Sequence, residues 1–305
     1  MRVVSLLPAA TEIVAALGLI DDLIGVSHEC DYPASVNTKP RVTHCTIHGN
    51  ALTSDATDAW VKEKLREAGS LYTIDEAQLR TLAPDVILTQ GLCDVCAPSF
   101  DSVTVVAARL PGPPRVVNLE PQSVADIFDN IRTCGVELGV PDRATTVLQD
   151  LASRIDAVRA AVAGAPQRRC VVLEWIAPLF ANGHWGPELT EIAGGIDPVG
   201  RKNADAVEIS WEAVRDSAPD VLVLACCGYD IPRTLADVPI LRELPGFALL
   251  PAVQRRAVWA VDGAAFFSRP GPRIVDSLEI LARLIHPERF DDSPAPTAAQ
   301  RVVLE

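Results

Sequence analysis

The sequence predicts an α/β protein of two related halves, each built on a mostly parallel sheet and joined by a long helix. Three observations predict it. A capped helix, a Pro-Asp turn and a buried strand occur twice; the strands flanking that unit are echoed; and the middle of the chain is strongly helical. The first copy is Ile74-Asp75-Glu76-Ala77-Gln78-Leu79-Arg80-Thr81-Leu82-Ala83-Pro84-Asp85, running into Val86-Ile87-Leu88. The second is Ile209-Ser210-Trp211-Glu212-Ala213-Val214-Arg215-Asp216-Ser217-Ala218-Pro219-Asp220, running into Val221-Leu222-Val223-Leu224.

In chain order, Arg2 to Leu7 is of strand length and opens the first half, before a helical pattern. Asp75 suits the N-cap of the repeated helix, and the apolar run after Pro84-Asp85 reads as a fully buried parallel strand. Arg115-Val116-Val117-Asn118 closes the half. From Ser123 to Gly164 the pattern is helical; Asp142 can cap its second part, where Ala144, Val147, Leu148, Leu151, Ile155, Val158 and Val162 recur at helical spacing. Such a helix is stiffer than a Gly/Ser linker. Arg169 to Glu174 echoes the opening strand, Gly194-Gly195-Ile196-Asp197 echoes Gly18-Leu19-Ile20-Asp21, and Arg256 to Trp259 echoes Arg115 to Asn118. The expected organisation is an N-terminal lobe over 1–121, a helical bridge over 122–165, a C-terminal lobe over 166–288 and a tail over 289–305. One large doubly wound sheet is the competing topology.

The chain has 305 residues, 49% apolar and 22% charged, enough for a substantial core. A formal net charge of −13 with no basic run argues against nucleic acid and against anionic membrane surfaces. No apolar run reaches the roughly 18 residues of a membrane span. The chain opens directly on a strand, so the expectation is a cytoplasmic protein, and its eight cysteines are expected to be reduced. Cys134 and Cys170, in a helical pattern and at a strand start, read as small core residues.

The halves are not equal. Gly25 to Pro84 spans 59 positions and Gly200 to Pro219 spans 19, so the first half carries about 40 extra residues. That insertion holds His28, Cys30, His44, Cys45 and His48. Ligands of open α/β sheets bind beyond the carboxyl ends of the strands, so the loops there are the expected functional site. Those loops collect Tyr32, Trp175, Trp185, Tyr229, Phe266 and Phe267 in a chain only 5% aromatic. Rigid rings with polar tips suit a broad, flat ligand, although any one of them could instead pack under its loop.

At this point the residues resemble a family. Ser5-Leu6-Leu7-Pro8-Ala9-Ala10-Thr11-Glu12-Ile13, the two Ala-Pro-Asp-Val strand entries, the helical bridge and Phe266-Phe267-Ser268-Arg269-Pro270-Gly271-Pro272-Arg273 resemble the helical-backbone (class III) periplasmic-binding-protein family, closest to its cobalamin-binding branch. The resemblance covers roughly residues 1–288. It implies two Rossmann-like lobes on one rigid helix, a ligand clamped in the cleft with modest closure, and a membrane permease docked through an acidic residue on each lobe. Glu76 and Glu212 are the candidates. Without a leader, storage or delivery to a corrinoid-dependent enzyme would fit better than periplasmic uptake.

Charge narrows the ligand. Haem or a ferric siderophore is anionic and calls for several cations. The loops offer chiefly Arg269 and Arg273, set against Glu29, Asp31, Asp94 and Glu174. A nearly neutral, amide-fringed corrinoid fits better, its edge met by Thr11, Gln90 and Ser268 and its faces by Trp175, Trp185 and Phe267, with Tyr32 and Tyr229 nearby. His184 could be an axial ligand to cobalt or a hydrogen-bond donor.

The departure from the family is the Cys/His set. Cys93 and Cys96 have metal-ligand spacing, and Cys30, Cys45, His28, His44 or His48 could complete a tetrahedral site for zinc, iron or copper. A redox role, or cysteines merely tolerated in a reducing compartment, are the other readings. No catalytic motif stands out. Glu29 or Glu174 could act as a base beside a metal, which keeps a metalloprotein or metalloenzyme as the alternative function.

Overall fold

A computed structural model describes residues 1–45, 53–68, 70–91 and 97–303. The chain divides into two compact units. One comprises Met1–Leu52, Ala59–Pro121 and Ala125–Gln149; the other comprises Thr53–Asp58, Gln122–Val124 and Asp150–Glu305.

The first unit contains β1 (Val3–Ser5), α1 (Pro8–Ala16), β2 (Leu23–Val26), β3 (Thr43–Cys45), the part of α2 (Ser54–Ala68) that follows Asp58, β4 (Tyr72–Ile74), α3 (Glu76–Leu82), β5 (Val86–Thr89), α4 (Phe100–Ala108), β6 (Arg115–Asn118) and all but the first residue of α5 (Val124–Glu137). Then comes α6 (Pro141–Val162), which is divided between the units at Gln149. The main sheet is parallel throughout, in the order β2-β1-β5-β6. Val4, Leu6, Ile87 and Val103 are at most 1% exposed and form its core, as near-continuous apolar strands buried on both faces require. The insertion adds the antiparallel pair β3-β4 and places α2 between them in sequence.

The second unit contains β7 (Arg168–Trp175), β8 (Phe180–Ala181), α7 (Gly186–Ile192), β9 (Gly195–Ile196), β10 (Val207–Glu208), α8 (Trp211–Asp216), β11 (Val221–Leu224), α9 (Ile231–Ala236), α10 (Val238–Arg242), α11 (Pro251–Gln254), β12 (Val258–Val261), α12 (Ile274–Ile285) and β13 (Ala299–Arg301). Its parallel core is β9, β7, β11 and β12, the counterpart of β2, β1, β5 and β6. Antiparallel β8 and β10 extend one side. On the other side β13, from the expected tail, covers β12 with Ala299 and Val302 buried, so this edge strand is paired rather than bare.

The repeated Ala-Pro-Asp is a physical device, and both copies work alike. Ala83 ends α3 in the left-handed region (φ 40°), and Ala218 takes the same conformation (φ 45°) just after α8. Proline then forbids further helix. The aspartate that follows grips the start of the central strand: Asp85 Oδ2 accepts from Arg2 N at 2.7 Å and Asp220 Oδ2 from Arg169 N at 2.9 Å. The two backbones return the bond, Asp85 N to Arg2 O at 2.8 Å and Asp220 N to Arg169 O at 2.7 Å. The central helical stretch is two helices rather than one, broken at Gly139, whose φ of 75° closes α5. Ala144, Leu151, Ile155, Val158 and Val162 of α6 are buried as expected. Cys134 and Cys170 are fully buried, and burial pushes the Cys134 thiol up to about 12.

Candidate functional site

In the first unit, α1 starts three residues after β1, with Pro8 in its first turn. Thr11 is thereby turned inward: it is fully buried, and its hydroxyl donates to Cys30 Sγ at 3.1 Å. Ser27 Oγ lies 3.2 Å from the same sulfur. Arg41 holds this loop by donating to the carbonyls of Ser27 (2.9 Å) and Cys30 (2.6 Å). Burial raises the Cys30 thiol above its ordinary range, so this cysteine is a hydrogen-bonded core thiol and not a ready thiolate.

His28 Nδ1 sits 2.9 Å from Thr43 Oγ1, and its ring is 5.5 Å from that of Tyr72. Burial, then the charges of His44 and Arg41, lower its pKa, so it is neutral near pH 7. Its Nε2 is buried without a hydrogen-bond partner among the described residues. His44 is exposed and Cys45 half-buried on β3. No three His, Cys, Asp or Glu side chains among the described residues group to hold a metal ion. Cys93, Cys96 and His48 lie outside the described residues.

At the carboxyl ends of β5 and β6, Thr89 and Asn118 are register partners. Thr89 Oγ1 and Asn118 Oδ1 are both buried without a hydrogen-bond partner among the described residues. Asn118 Nδ2 donates to Glu120 Oε1 at 2.7 Å, and a side chain on Gly91 would come within 2.0 Å of that oxygen. Gln90 is buried beside them, whereas Tyr32 is exposed. The sequence reading missed Thr89, Asn118 and Glu120. The available signal was polar residues in the last position of otherwise apolar strands.

In the second unit, β7 ends in Glu174 and Trp175. Glu174 Oε1 accepts from Gly183 N at 3.0 Å, but burial and nearby Asp197 push its carboxyl up to about 7. Asp197 accepts from the amides of Val199 (3.1 Å) and Gly200 (2.8 Å), yet burial still raises it to about 6. Gly183 has to be glycine, because a Cβ there would stand 2.3 Å from Ala206 N. Next to it His184 takes a left-handed φ of 51°. Its Nδ1 is 2.7 Å from Gln122 Oε1, which can only accept, so Nδ1 carries the proton and Nε2 presents a lone pair. Burial lowers the His184 pKa against the pull of Asp205.

The rings follow from these turns. His184 stacks on Trp185 at 5.5 Å, and Trp185 Nε1 donates to Phe267 O at 3.3 Å. Phe266 and Phe267 lie on a π-helical turn, Gly263–Phe267, capped by Asp262 accepting from Ala265 N at 2.7 Å. Trp175 packs against Tyr229 at 4.7 Å, and its Nε1 donates to the carbonyls of Ala177 (2.9 Å) and Ser54 (3.3 Å). Tyr229 is 6% exposed. Of the cations, Arg269 is buried, Arg273 lies over Phe266, and Arg233 stacks on Tyr229 while pairing with Asp237 at 2.9 Å. Ser268 closes the π-helical turn by bonding its amide to Gly263 O.

Glu76 and Glu212 each sit in the first turn of a helix, α3 and α8, just after the capping residues Asp75 and Ser210. Glu212 is exposed, and Glu76 lies 3.4 Å from Arg109 across an exposed ion pair.

Residues 3–265 match the family model described as periplasmic binding protein. The chain is 25% identical over 280 residues to the vitamin B12-binding protein of Vibrio cholerae, covering 91% of this chain and 86% of that protein. It is 22% identical to the uncharacterized ABC transporter substrate-binding lipoprotein YvrC of Bacillus subtilis, over 95% of this chain and 82% of that one. The solved structure of the periplasmic vitamin B12 binding protein BtuF of Vibrio cholerae aligns with a TM-score of 0.66 at 22% identity, covering 95% and 98% of the two chains. A periplasmic heme binding protein from Pseudomonas aeruginosa aligns with a TM-score of 0.70 at 20% identity, covering 99% and 98%. These structures share the α/β two-lobe architecture, and with the family match spanning most of its length the chain belongs to the periplasmic binding protein family.

Proposed function

We propose that this chain binds cobalamin or a closely related corrinoid through the strand-end loops described above and delivers it to a membrane permease or a corrinoid-dependent enzyme. The observation that carries the reading is the state of the cations in the second unit: rings are plentiful, while Arg233, Arg269 and Arg273 are buried or stacked. A haem would need free cations for its two carboxylates, whereas a corrin fringed by neutral amides needs amide and hydroxyl partners. Thr89, Gln90, Asn118 and Ser268 are of that kind, and Trp185 and Phe267 supply apolar faces. Likeness to the curated vitamin B12-binding protein of Vibrio cholerae supports the same reading. Neutral His184, protonated on Nδ1, is suited to meet cobalt through Nε2. Glu76 and Glu212 are the proposed permease contacts, and cytoplasmic residence is part of the proposal, checked by cell fractionation.

The site test is Phe267→Ala together with Asn118→Ala, each titrated with cyanocobalamin by absorbance. Each should weaken binding at least about tenfold, the scale of a lost ring face or a lost buried amide bond, with the fold intact by circular dichroism. Unchanged affinity in both variants contradicts the assignment of the site.

A further inference from the structure

At the amino ends of the second unit's strands, opposite the loops just described, lies a groove of about 550 Å³. The starts of β7, β11 and β12 form its floor. Four arginines line it, Arg168, Arg255, Arg256 and Arg301, against two carboxylates, Asp220 and Glu288, so the lining carries +4 − 2 = +2 in a chain of formal charge −13. Two of the arginines are matched: Arg168 forks onto Glu288 at 3.0 and 3.1 Å, and Arg255 pairs with Asp220.

The other two face no carboxylate among the described residues. Arg301 reaches β12 from β13, and its guanidinium lies over its cross-strand partner Trp259 at 4.7 Å. Stacking leaves the N–H edge of a guanidinium open to bond an anion. Arg256 sits in the turn between α11 and β12 with φ 54°, a conformation that favours glycine, and its backbone N bonds to Val253 O at 3.0 Å. An exposed arginine there keeps a cation at the groove at a cost in backbone strain. Trp259 Nε1 adds a donor that is buried without a partner among the described residues.

From this we infer a second binding site on the protein, an anion groove for a phosphate-bearing group, gripped by Arg256 and Arg301 with Arg168 and Arg255 supplying field. Two guanidinium forks that face no carboxylate among the described residues, set on one concave surface, match the geometry of phosphate oxygens, and the local excess of positive charge favours an anion there although the chain as a whole is acidic. The group can be a free phosphorylated solute or the headgroup of an anionic lipid. The proposal is independent of which ligand the opposite end of the sheets takes.

The test uses the full chain with inorganic pyrophosphate by isothermal titration, and with vesicles of phosphatidylglycerol and phosphatidylcholine by co-sedimentation. Saturable pyrophosphate binding that weakens with added salt is expected, and vesicle binding competed by pyrophosphate would assign the headgroup as source. Arg256→Gly should lower affinity about tenfold while leaving thermal stability equal or higher, since it relieves the positive φ. Arg301→Lys, which keeps the charge but not the stacked fork, should retain only part of the binding, and Arg301→Ala should lose it. Absence of binding to both probes, or unchanged binding in Arg256→Gly and Arg301→Ala, overturns the proposal.

Discussion

The carboxyl of Glu174 accepts a bond from Gly183 N, yet burial pushes it to about 7, against an ordinary value of 4.5. The folded state therefore holds a proton that the unfolded chain gives up, and stability declines as pH rises from about 4.5 through about 7. Glu174→Gln keeps an acceptor for Gly183 and removes the charge. It should raise Tm by about 2–4 °C at pH 8 and leave it unchanged near pH 4.5, checked by thermal melts across pH. An equal shift at both values would mean that charge burial is not the cause. His184 supplies the second residue-level prediction. With its proton on Nδ1 toward Gln122, His184→Ala should abolish any imidazole-dependent change in the cobalt spectrum while costing binding about tenfold, whereas His184→Gln should keep part of the affinity without the spectral change. At this scale the sequence named the rings and His184, because aromatic residues in strand-end loops can be read directly. Thr89 and Asn118 were invisible because their meeting depends on register between β5 and β6, and Thr11 turns inward because α1 begins so soon after β1.

Among elements, the Ala-Pro-Asp turns were legible as a repeat, but their mechanics were not. A repeat of residue types does not reveal that the aspartate returns to the backbone of the central strand. Nor does it reveal that the alanine before proline must adopt positive φ. That conformation costs an L-residue with a Cβ about 1 kcal/mol, which glycine avoids. Ala83→Gly and Ala218→Gly should each stabilise the fold by about 0.5–1 kcal/mol by urea denaturation, with α3 and α8 intact by circular dichroism. Destabilisation of both would show that the turn needs the methyl group for packing. β8, β9 and β10 escaped the reading because two-residue strands show no periodicity, and β13 because its pairing to β12 spans some forty residues of sequence.

For the molecule as a whole, the α/β class, the mostly parallel sheets and the duplication follow from hydrophobic runs bounded by caps and prolines, which local sequence carries. The expected Cys/His metal set depended on residues far apart in sequence meeting. Of its described members, Cys30 is engaged by Thr11 and Ser27 and the Nδ1 of His28 by Thr43, while His44 lies exposed on β3. The arginine groove was equally hidden, since residues 168, 255, 256 and 301 meet only through sheet order. The central claim is a corrinoid ligand, and side-by-side titration of the purified chain with cyanocobalamin and haemin tests it most directly. Saturable one-to-one binding of the corrinoid at micromolar or lower concentration, with haemin binding at least about tenfold more weakly, is the predicted result. Tighter haemin binding, or no corrinoid binding up to high micromolar concentration, would contradict it.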